Sequence, residues 1–414
     1  MSVLYEIIIN IYGFVIFLVS FFNKKAKKWI NGRKNIFRNL KKDFENLENP
    51  ILWFHASSLG EFEQGRPLIE KIRSCYHHYK ILLTFFSPSG YEIRKNYQGA
   101  DFVYYLPLDT RCNARKFLKI VKPEKIFFIK YEFWYNYLSL AYKYNIPVYL
   151  VSGIFRENQL FFRWYGNFYR KFLKFFNTFF VQDEKSYNLL KQIGFQNIVI
   201  SGDTRFDRVF TIAKNSKEID IARNFCNDKF TIVCGSTWPE DEKIIIDFIN
   251  KSKIDLKFII APHEITNSHI KNIINSLKKP YILFSETEKI IRHLNDYCVL
   301  IIDNIGMLSS LYKYGKIAYV GGGFGMGIHN VLEAVVYGIP AIFGPNYKKF
   351  KEAVDLINAK GAFSINDYKS FENTIYLFYN NHEILKESGN IAQEYVKNNI
   401  GATDKIVNYI FKSF

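Results

Sequence analysis

The chain has 414 residues, 48% of them hydrophobic, so it is too long for one ordinary domain core and too apolar for a disordered protein. It carries 56 basic and 39 acidic residues, a formal net charge of +17. A nucleic-acid binder gathers such charge in a patch. Here the Lys and Arg residues are spread along the chain except near the N-terminus, so no nucleic-acid partner is predicted.

The cysteines are scattered and none forms a C-x-x-C pair, which argues against a disulfide framework or a cysteine metal site. They are Cys75, Cys112, Cys226, Cys234 and Cys298.

Residues 1–23 are predicted to form a membrane-anchor helix. The run MSVLYEIIINIYGFVIFLVSFF is near the length that spans a bilayer, and the basic segment NKKAKKWINGRK after it predicts a cytoplasmic body. No charges precede the run and no small-residue cleavage site follows it, so it is not a signal peptide. Two alternatives stay open: a helix lying in the membrane interface, or an amphipathic helix packed on the protein itself. Glu6 favours the latter, because a carboxylate is unfavourable at depth.

From residue 24 onward, short apolar runs alternate with helical stretches such as 64–74 and 185–193. These runs are predicted to be buried parallel strands: ILWFH, KILLTFF, FVYYLP, KIFFIK, PVYLVSG, TFFVQD and NIVISGD. Such alternation predicts an α/β sheet with right-handed crossovers. We assign residues 24–213 to a first Rossmann-like domain.

A polar, helical seam at residues 208–228 separates this part from a second alternating region. Its predicted strands are FTIVCGS, LKFIIAP, YILFS, CVLIID, KIAYVGGG and PAIFGP. We assign residues 214–414 to a second Rossmann-like domain, whose last helix is free to cross back to the first. Two doubly wound domains with a cleft between them make a GT-B type of architecture, in which ligands bind at the carboxyl ends of strands that face the cleft.

Three charged residues of the first domain follow predicted strands. Glu61 comes after Gly60, where a strand hands over to a helix, and a carboxylate there can act as a general base or simply interact with the helix N-terminus. Gly60 is expected to let the backbone bend or approach a ligand closely. Glu132 repeats the arrangement, with a solvated loop acid as the alternative. Arg205 can grip a carboxylate or phosphate, or form a surface salt bridge.

The second domain carries a glycine-rich stretch, YVGGGFGMGIHNVLEAVVYGIPAIFGP, at residues 319–345. It predicts a strand, a glycine turn, a helix and a strand, with backbone N–H groups that favour a phosphate. Asn330 and Glu333 are spaced to face the same way, and Glu333 can accept hydrogen bonds from ribose hydroxyls. Pro262 and His263 end another strand. Neither a P-loop nor a D-x-D pair at a strand end is present, so no metal is predicted.

These motifs together resemble the 3-deoxy-D-manno-octulosonic acid (Kdo) transferase family of lipopolysaccharide assembly. WFHASSLGE is similar to that family's W-x-H-A-x-S-x-G-E, YEFW to T-E-x-W, and GDTRFD to G-N-x-K-F-D. APHE is similar to a P-R-H segment, and GGGFGMGIHNVLEA to G-G-S…G-G-H-N-x-L-E. The resemblance covers nearly the whole chain. It implies an inverting glycosyltransferase that moves Kdo from CMP-Kdo to the lipid A precursor, without a metal or other cofactor.

The resemblance also implies residue roles. Glu61 would be the base, and Glu132 and Arg205 would stabilise the transition state. The residues implied to bind CMP are Pro262, His263, Ile305, Gly306, Met307, Asn330, Val331, Leu332 and Glu333. The first domain would bind the acceptor and the second the donor, on the cytoplasmic side of the inner membrane.

This sequence departs from the family pattern at several of these positions. His263 stands where many members have arginine, Arg205 where many have lysine, Met307 where glutamate is frequent, and Tyr135 where a proline follows the tryptophan. Two other functions remain open: a GT-B transferase that uses a nucleoside-diphosphate sugar, and a non-catalytic, membrane-tethered binding protein.

Overall fold

The structure is a computed structural model, and it describes residues 2–289 and 291–411. Met1, at the start of the predicted anchor, and Ile290 and residues 412–414, in the predicted second domain, lie outside the described residues. The chain divides into two compact units: Met1–Asp207 with Ile400–Phe414, and Arg208–Asn399. The predicted boundary after residue 213 lies slightly further along, within the same helix.

The first unit is built on a seven-stranded parallel sheet. Its strands are β1 Ile51–Ala56, β2 Lys80–Phe85, β3 Phe102–Tyr105, β4 Lys125–Ile129, β5 Val148–Gly153, β6 Thr178–Val181 and β7 Ile198–Ile200. The spatial order is β3-β2-β1-β4-β5-β6-β7, so the chain reverses direction across the sheet between β1 and β4.

Helices of the first unit connect and cover these strands. They are α1 Ser2–Val19, α2 Lys24–Asn31, α3 Ile36–Phe44, α4 Leu59–Cys75, α5 Pro88–Arg94, α6 Arg111–Val121, α7 Tyr135–Lys143, α8 Asn167–Leu173, α9 Glu184–Gln192 and α10 Thr204–Lys214, which runs into the second unit. A 3₁₀ turn spans Leu160–Phe162.

The second unit repeats the design with another seven-stranded parallel sheet. Its strands are β8 Thr231–Thr237, β9 Lys257–Pro262, β10 Tyr281–Leu283, β11 Val299–Ile301, β12 Ile317–Val320, β13 Ala341–Phe343 and β14 Ala362–Ser364. The order is β10-β11-β9-β8-β12-β13-β14. The sequence analysis missed β14, because Ala362–Ser364 has only one large apolar side chain, that of Phe363, and so shows no continuous apolar run.

Helices of the second unit are α11 Asp220–Cys226, α12 Pro239–Lys251, α13 Asn267–Ser276, α14 Leu308–Leu311, α15 Leu332–Val335, α16 Lys351–Asn358, α17 Tyr368–Asn380 and α18 His382–Lys397. Further 3₁₀ turns span Phe284–Lys289, Ile291–Asp296 and Tyr312–Tyr314. The final helix, α19 Ala402–Phe411, belongs to the first unit.

Burial on both faces explains why β1 reads as a continuous apolar run. All six of its residues are buried. Trp53 packs on one face with Phe117 and Phe128, while Phe54 packs on the other face in a cluster that includes Leu68 of α4. Helix α19 completes that second face, and its Phe411 ring stacks on Tyr76 with centroids 4.5 Å apart. Strand β1 is therefore a fixed support for the turn that follows it.

Helix α1 packs against the first unit through polar contacts. The Tyr5 hydroxyl donates to Asp109 Oδ2 at 2.6 Å, and Glu6 accepts from the backbone N–H of Arg111 and from Asn136 Nδ2. The Glu6 carboxylate is favourable here because it caps the start of α6, whereas the same carboxylate inside a lipid bilayer would be unfavourable.

No helix in the described residues is long and apolar enough to cross a membrane. The spanning form of the predicted anchor helix is therefore not supported. The structure agrees with the alternative of an amphipathic helix packed on the protein itself. Helix α1 packs on its own unit, with Ile9 buried on the inner side.

Candidate active site

Glu61 lies in the first turn of α4, directly after β1. Ser58, in an extended conformation, is the N-cap residue, but its side chain accepts no hydrogen bond from the helix. Instead its hydroxyl donates to Glu61 Oε2. The half-buried carboxylate is thus held at the carboxyl edge of the sheet, in the first turn of the helix. This geometry suits a base and a helix-stabilising acid equally, so the base role stays a prediction.

Gly60 does not bend the chain, and that part of the expectation is wrong. The turn is made by residues 57–58, and Gly60 already lies in the helix without a positive φ. A Cβ at this position would meet only the Ser58 hydroxyl, at 3.8 Å. The space above Gly60 is therefore open, and close approach of a ligand remains the prediction for this glycine.

Glu132 follows β4, the neighbour of β1, so it lies at the same sheet edge as Glu61. Its Oε2 is 3.4 Å from Nε2 of the buried His55. That nitrogen also accepts a hydrogen bond from Trp134 Nε1 at 3.2 Å. His55 Nδ1 lies 2.9 Å from the Thr84 hydroxyl. Since Nε2 accepts from the indole, the proton is on Nδ1 in the neutral ring.

Arg205 is held by Asp203 at the start of α10. The Asp203 carboxylate accepts from Arg205 Nε at 2.8 Å and lies 2.7 Å from Nη2. The preceding Thr204 hydroxyl donates to the backbone carbonyl of Gln64 in α4 at 2.5 Å. Because Gln64 is one turn beyond Glu61, this bond places the start of α10 beside α4. The salt bridge that the sequence analysis gave as one alternative for Arg205 is present, with Asp203 as the partner, and it fixes the orientation of the guanidinium.

In the second unit, three rings from separate segments meet at the carboxyl edge of the sheet. Trp238 follows β8, His263 follows β9, and His329 follows the glycine segment. Trp238 and His263 stack with centroids 4.7 Å apart, and His263 and His329 stack at 4.5 Å. Trp238 Nε1–H donates to His329 Nε2 at 3.0 Å. Neither Trp238 nor His329 was singled out from the sequence.

Asp241 ties the strand ends beneath these rings together. The buried carboxylate accepts hydrogen bonds from Trp238 N, the Tyr319 hydroxyl and Gly322 N, at 2.7–3.0 Å. Burial raises the pKa of Asp241, and these hydrogen bonds oppose that rise. Asp241 thereby joins the β8–α12 turn to β12 and the glycine segment.

The helix after the glycine segment is much shorter than predicted. Helix α15 covers only Leu332–Val335, a single turn, so the expected phosphate site at a full helix N-terminus is not formed. The expected pairing of Asn330 with Glu333 is present, since Asn330 Nδ2 donates to Glu333 Oε1 at 3.1 Å. Val331 and Leu332 are buried, so only their backbone can meet a ligand.

The remaining predicted donor residues lie at other strand ends of the same sheet. Pro262 closes β9 and is buried, whereas the neighbouring His263 is exposed. Ile305 is 87% exposed, and Gly306 has φ +104 with open space around it. Met307 precedes the single-turn helix α14 and makes no side-chain cap. These positions do not test CMP binding, which stays a prediction for all of the donor-site residues.

Comparison with known proteins decides the family. Residues 31–208 match the family model described as 3-deoxy-D-manno-octulosonic-acid transferase (kdotransferase). The 3-deoxy-D-manno-octulosonic acid transferase of Aquifex aeolicus is 30% identical over 336 residues, which cover 79% of this chain and 86% of that protein. The chain belongs to the Kdo transferase family. The Rickettsia prowazekii transferase is 27% identical over 92% of this chain and 83% of its own length.

Solved structures support the fold of this Kdo transferase. The UDP-GlcNAc 2-epimerase of Neisseria meningitidis, bound to UDP-GlcNAc, superposes with a TM-score of 0.62 at 17% identity, covering 88% of this chain and 100% of that one. A second such epimerase, described as putative, from Listeria monocytogenes, has a TM-score of 0.58 at 11% identity, covering 89% and 98%. The two parallel-sheet units resemble those of GT-B glycosyltransferases.

Proposed function

We propose that this Kdo transferase moves Kdo from CMP-Kdo to a sugar hydroxyl of the lipid A precursor, lipid IVA. Family membership carries the Kdo transfer itself. The acceptor is proposed from the chemistry of the first unit, where a carboxylate is held at an open sheet edge. A sugar hydroxyl is a weak nucleophile, and a positioned base is what it needs.

The proposed reaction is a single displacement. The acceptor oxygen forms a bond to the anomeric carbon of Kdo while the bond from that carbon to the phosphate oxygen breaks. CMP leaves with the bonding electron pair, and the hydroxyl proton passes to Glu61. Attack from the face opposite the leaving group inverts the configuration at that carbon.

Glu132 and Arg205 are proposed to stabilise charge in the transition state. Kdo carries a carboxylate beside its reacting carbon, and a fixed guanidinium is a good partner for it. Asp203 already orients Arg205, so little side-chain freedom is lost when a ligand binds. Glu132 lies against His55, and its negative charge suits the positive charge that develops on the sugar ring.

CMP is proposed to bind at the carboxyl edge of the second sheet. The residues that would hold it, Pro262, His263, 305–307 and 330–333, all follow strands of that sheet or the glycine segment. Glu333 is oriented by Asn330 and would accept from a ribose hydroxyl. Backbone N–H groups of 305–307 and of Val331 would meet the phosphate or base, whereas the N–H of Leu332 already donates to Asn330 Oδ1 at 3.3 Å. The proposed chemistry uses no metal or other cofactor.

A membrane-surface location is proposed for the first unit, with catalysis on the cytoplasmic side of the inner membrane. Helix α1 exposes many large apolar side chains: Val3, Leu4, Ile7, Ile8, Ile11, Tyr12, Phe14, Val15, Phe17, Leu18 and Val19. Exposed Lys24, Lys25, Lys27 and Lys28 of α2 follow. An apolar face beside clustered lysines fits an anionic bilayer interface, and it would bring the site to a lipid acceptor.

The experiment that tests this function is a donor panel. Full-length protein is incubated in anionic vesicles with lipid IVA and either CMP-Kdo or nucleoside-diphosphate sugars, and glycosylated lipid is quantified. Product from CMP-Kdo alone is the expected result. Product from a nucleoside-diphosphate sugar alone would show that such a sugar, and not CMP-Kdo, is the donor. Binding of lipid without product from any donor would indicate a non-catalytic binding protein.

A further inference from the structure

Arg33 lies in the turn between α2 and α3, and its guanidinium holds the carboxyl ends of two strands. Its Nε–H donates to Leu106 O and an Nη2–H donates to Phe86 O, both at 2.8 Å. Phe86 is the first residue after β2, and Leu106 is the first after β3. One hydrogen bond beyond the strands, from Leu106 N to Phe85 O, still joins them. Arg33 therefore bonds the next two carbonyl groups, where the strands separate.

Three aromatic rings enclose the same guanidinium. Its central carbon is 3.7 Å from the ring centroid of Trp29, 4.8 Å from that of Tyr105 and 5.1 Å from that of Phe86. An Nη1–H donates to the Trp29 carbonyl at 3.0 Å, which ties the end of α2 to this point. Burial lowers the pKa of Arg33 to about 9, so the guanidinium keeps its charge at neutral pH. Cation–π attraction and three charge-assisted hydrogen bonds therefore fix its orientation.

Gly32 allows the turn to approach the sheet closely enough for these bonds. A Cβ at this position would lie 2.1 Å from the ring of Tyr105, which is buried and cannot move aside. The turn at residues 32–35 therefore lies directly on that ring, and the Arg33 side chain reaches both strand ends from there. The packing gives this turn one fixed placement at the carboxyl edge of the first sheet.

Phe86 and Trp134, here named the aromatic pair, extend this fixed placement to Glu132. Their ring centroids are 4.6 Å apart, and the ring planes are 33° from parallel. Trp134 Nε1–H donates to His55 Nε2 at 3.2 Å, and the same nitrogen is 3.4 Å from Glu132 Oε2. A continuous series of contacts therefore connects the Arg33 guanidinium to the Glu132 carboxylate.

We propose that Arg33 is a positioning residue for Kdo transfer, because it holds the aromatic pair that orients His55 and Glu132. This inference rests on the proposed function, in which Glu132 stabilises the transition state. A lysine in place of Arg33 would keep the charge, but a single ammonium group cannot reproduce the planar fork that bonds two carbonyls at once. A small displacement of Glu132 would then weaken an interaction that depends on exact geometry.

Two other roles for Arg33 predict different results. If Arg33 serves to hold the lysine-rich α2 at a membrane surface, its loss should raise the KM for lipid IVA and lower vesicle binding, while kcat is kept. If Arg33 serves only the stability of the fold, the melting temperature should fall, while kcat per folded molecule is kept. A positioning role predicts a lower kcat with both KM values unchanged, because Glu132 acts in the transition state.

Arg33→Lys in the full-length protein tests the proposal, in a transfer assay with CMP-Kdo and lipid IVA in anionic vesicles. We expect kcat to fall about 10- to 100-fold, while CMP affinity, vesicle binding and both KM values change less than about twofold. Arg73→Lys is the matched control. Arg73 pairs with Asp101, which accepts from Ile81 N near the start of β2, at the opposite edge of the same sheet. That variant should keep the wild-type kcat.

A double-mutant cycle shows whether Arg33 acts through the aromatic pair. Trp134→Phe keeps a ring against Phe86 but loses the N–H that bonds His55, so it should lower kcat by a similar factor. Adding Arg33→Lys to Trp134→Phe should then lower kcat less than about threefold further, whereas independent effects would multiply. Phe86→Leu keeps the carbonyl that Arg33 bonds but removes the ring, and it should behave like Arg33→Lys in the same cycle.

Three results would overturn the positioning role while leaving Kdo transfer in place. They are a wild-type kcat for Arg33→Lys, a loss confined to the KM for lipid IVA, and effects that multiply in the cycle. If Arg33→Lys does not fold, Phe86→Leu decides by the same criteria. A wild-type protein that makes no product from CMP-Kdo would instead overturn the proposed function, and this inference with it.

Discussion

Replacing Glu61 by glutamine tests the catalytic base. The substitution keeps the size of the side chain and its contact with the Ser58 hydroxyl, but an amide cannot take a proton. Loss of a general base typically lowers turnover by about 10²–10⁴, which corresponds to roughly 3–5 kcal/mol of activation free energy. We expect this loss in a transfer assay with CMP-Kdo and lipid IVA, while CMP affinity and melting temperature stay near wild type.

A purely structural role for Glu61 predicts the opposite pattern. A carboxylate in the first turn of a helix stabilises it by about 0.3–1 kcal/mol, so the melting temperature would fall by roughly 1–4 °C and turnover would be kept. Glu63→Gln is the matched control, since it removes the same charge from the same helix, where Glu63 pairs with Arg94 at 2.8 Å. If Glu61→Gln retains turnover within a few-fold of Glu63→Gln, the base assignment is refuted, and Glu132 becomes the candidate.

Three further predictions concern the donor, the packing of α1 and the membrane. Glu333→Gln should weaken CMP binding by about 1.5–3 kcal/mol, or roughly 10- to 150-fold by calorimetry; unchanged affinity would make Glu333 structural. Burial raises the pKa of Asp109 to about 7, so its stabilising contribution is fully present below the unfolded value of about 3.9 and is lost as pH rises through about 7. Thermal melts should therefore show a decline between pH 5.5 and 8 that Asp109→Asn, itself less stable by about 1–3 kcal/mol, lacks; an equal decline in both proteins would contradict this. Phe14→Ser with Leu18→Ser should lower sedimentation with anionic vesicles about tenfold, whereas Leu377→Ser, at an exposed apolar position of the second unit, should not; full retention of vesicle binding by the double variant would count against the membrane face.

Much of the fold was readable from the sequence because parallel strands are buried on both faces. The run around Trp53 and Phe54 has no polar alternation, and both residues are fully buried on opposite faces of the sheet. The N-terminal run was harder to interpret. Its hydropathy resembles that of an anchor, and only the tertiary contact of Glu6 with the start of α6 shows why a carboxylate interrupts it.

The site was predicted only in part, because its residues are arranged by contacts between distant segments. Glu61, Glu132 and Arg205 were identified because each follows a predicted strand. Parallel strands of one sheet all end at the same edge of that sheet. The pairing of Trp238 with His329 could not be foreseen, because the two residues are 91 positions apart in the sequence and a hydrogen bond in the folded unit joins them. The spacing of Asn330 and Glu333 correctly predicted that their side chains meet. The length of α15 was not predicted correctly, because the helix ends after one turn.

The most direct test is high-resolution mass spectrometry of lipid IVA after incubation with CMP-Kdo and wild-type protein, with the released CMP measured in the same reaction. The account predicts lipid that has gained whole Kdo units, one CMP released for each unit, and neither product at a comparable rate with Glu61→Gln. Unmodified lipid IVA under conditions in which the protein binds CMP would contradict it, as would CMP release without any gain in lipid mass.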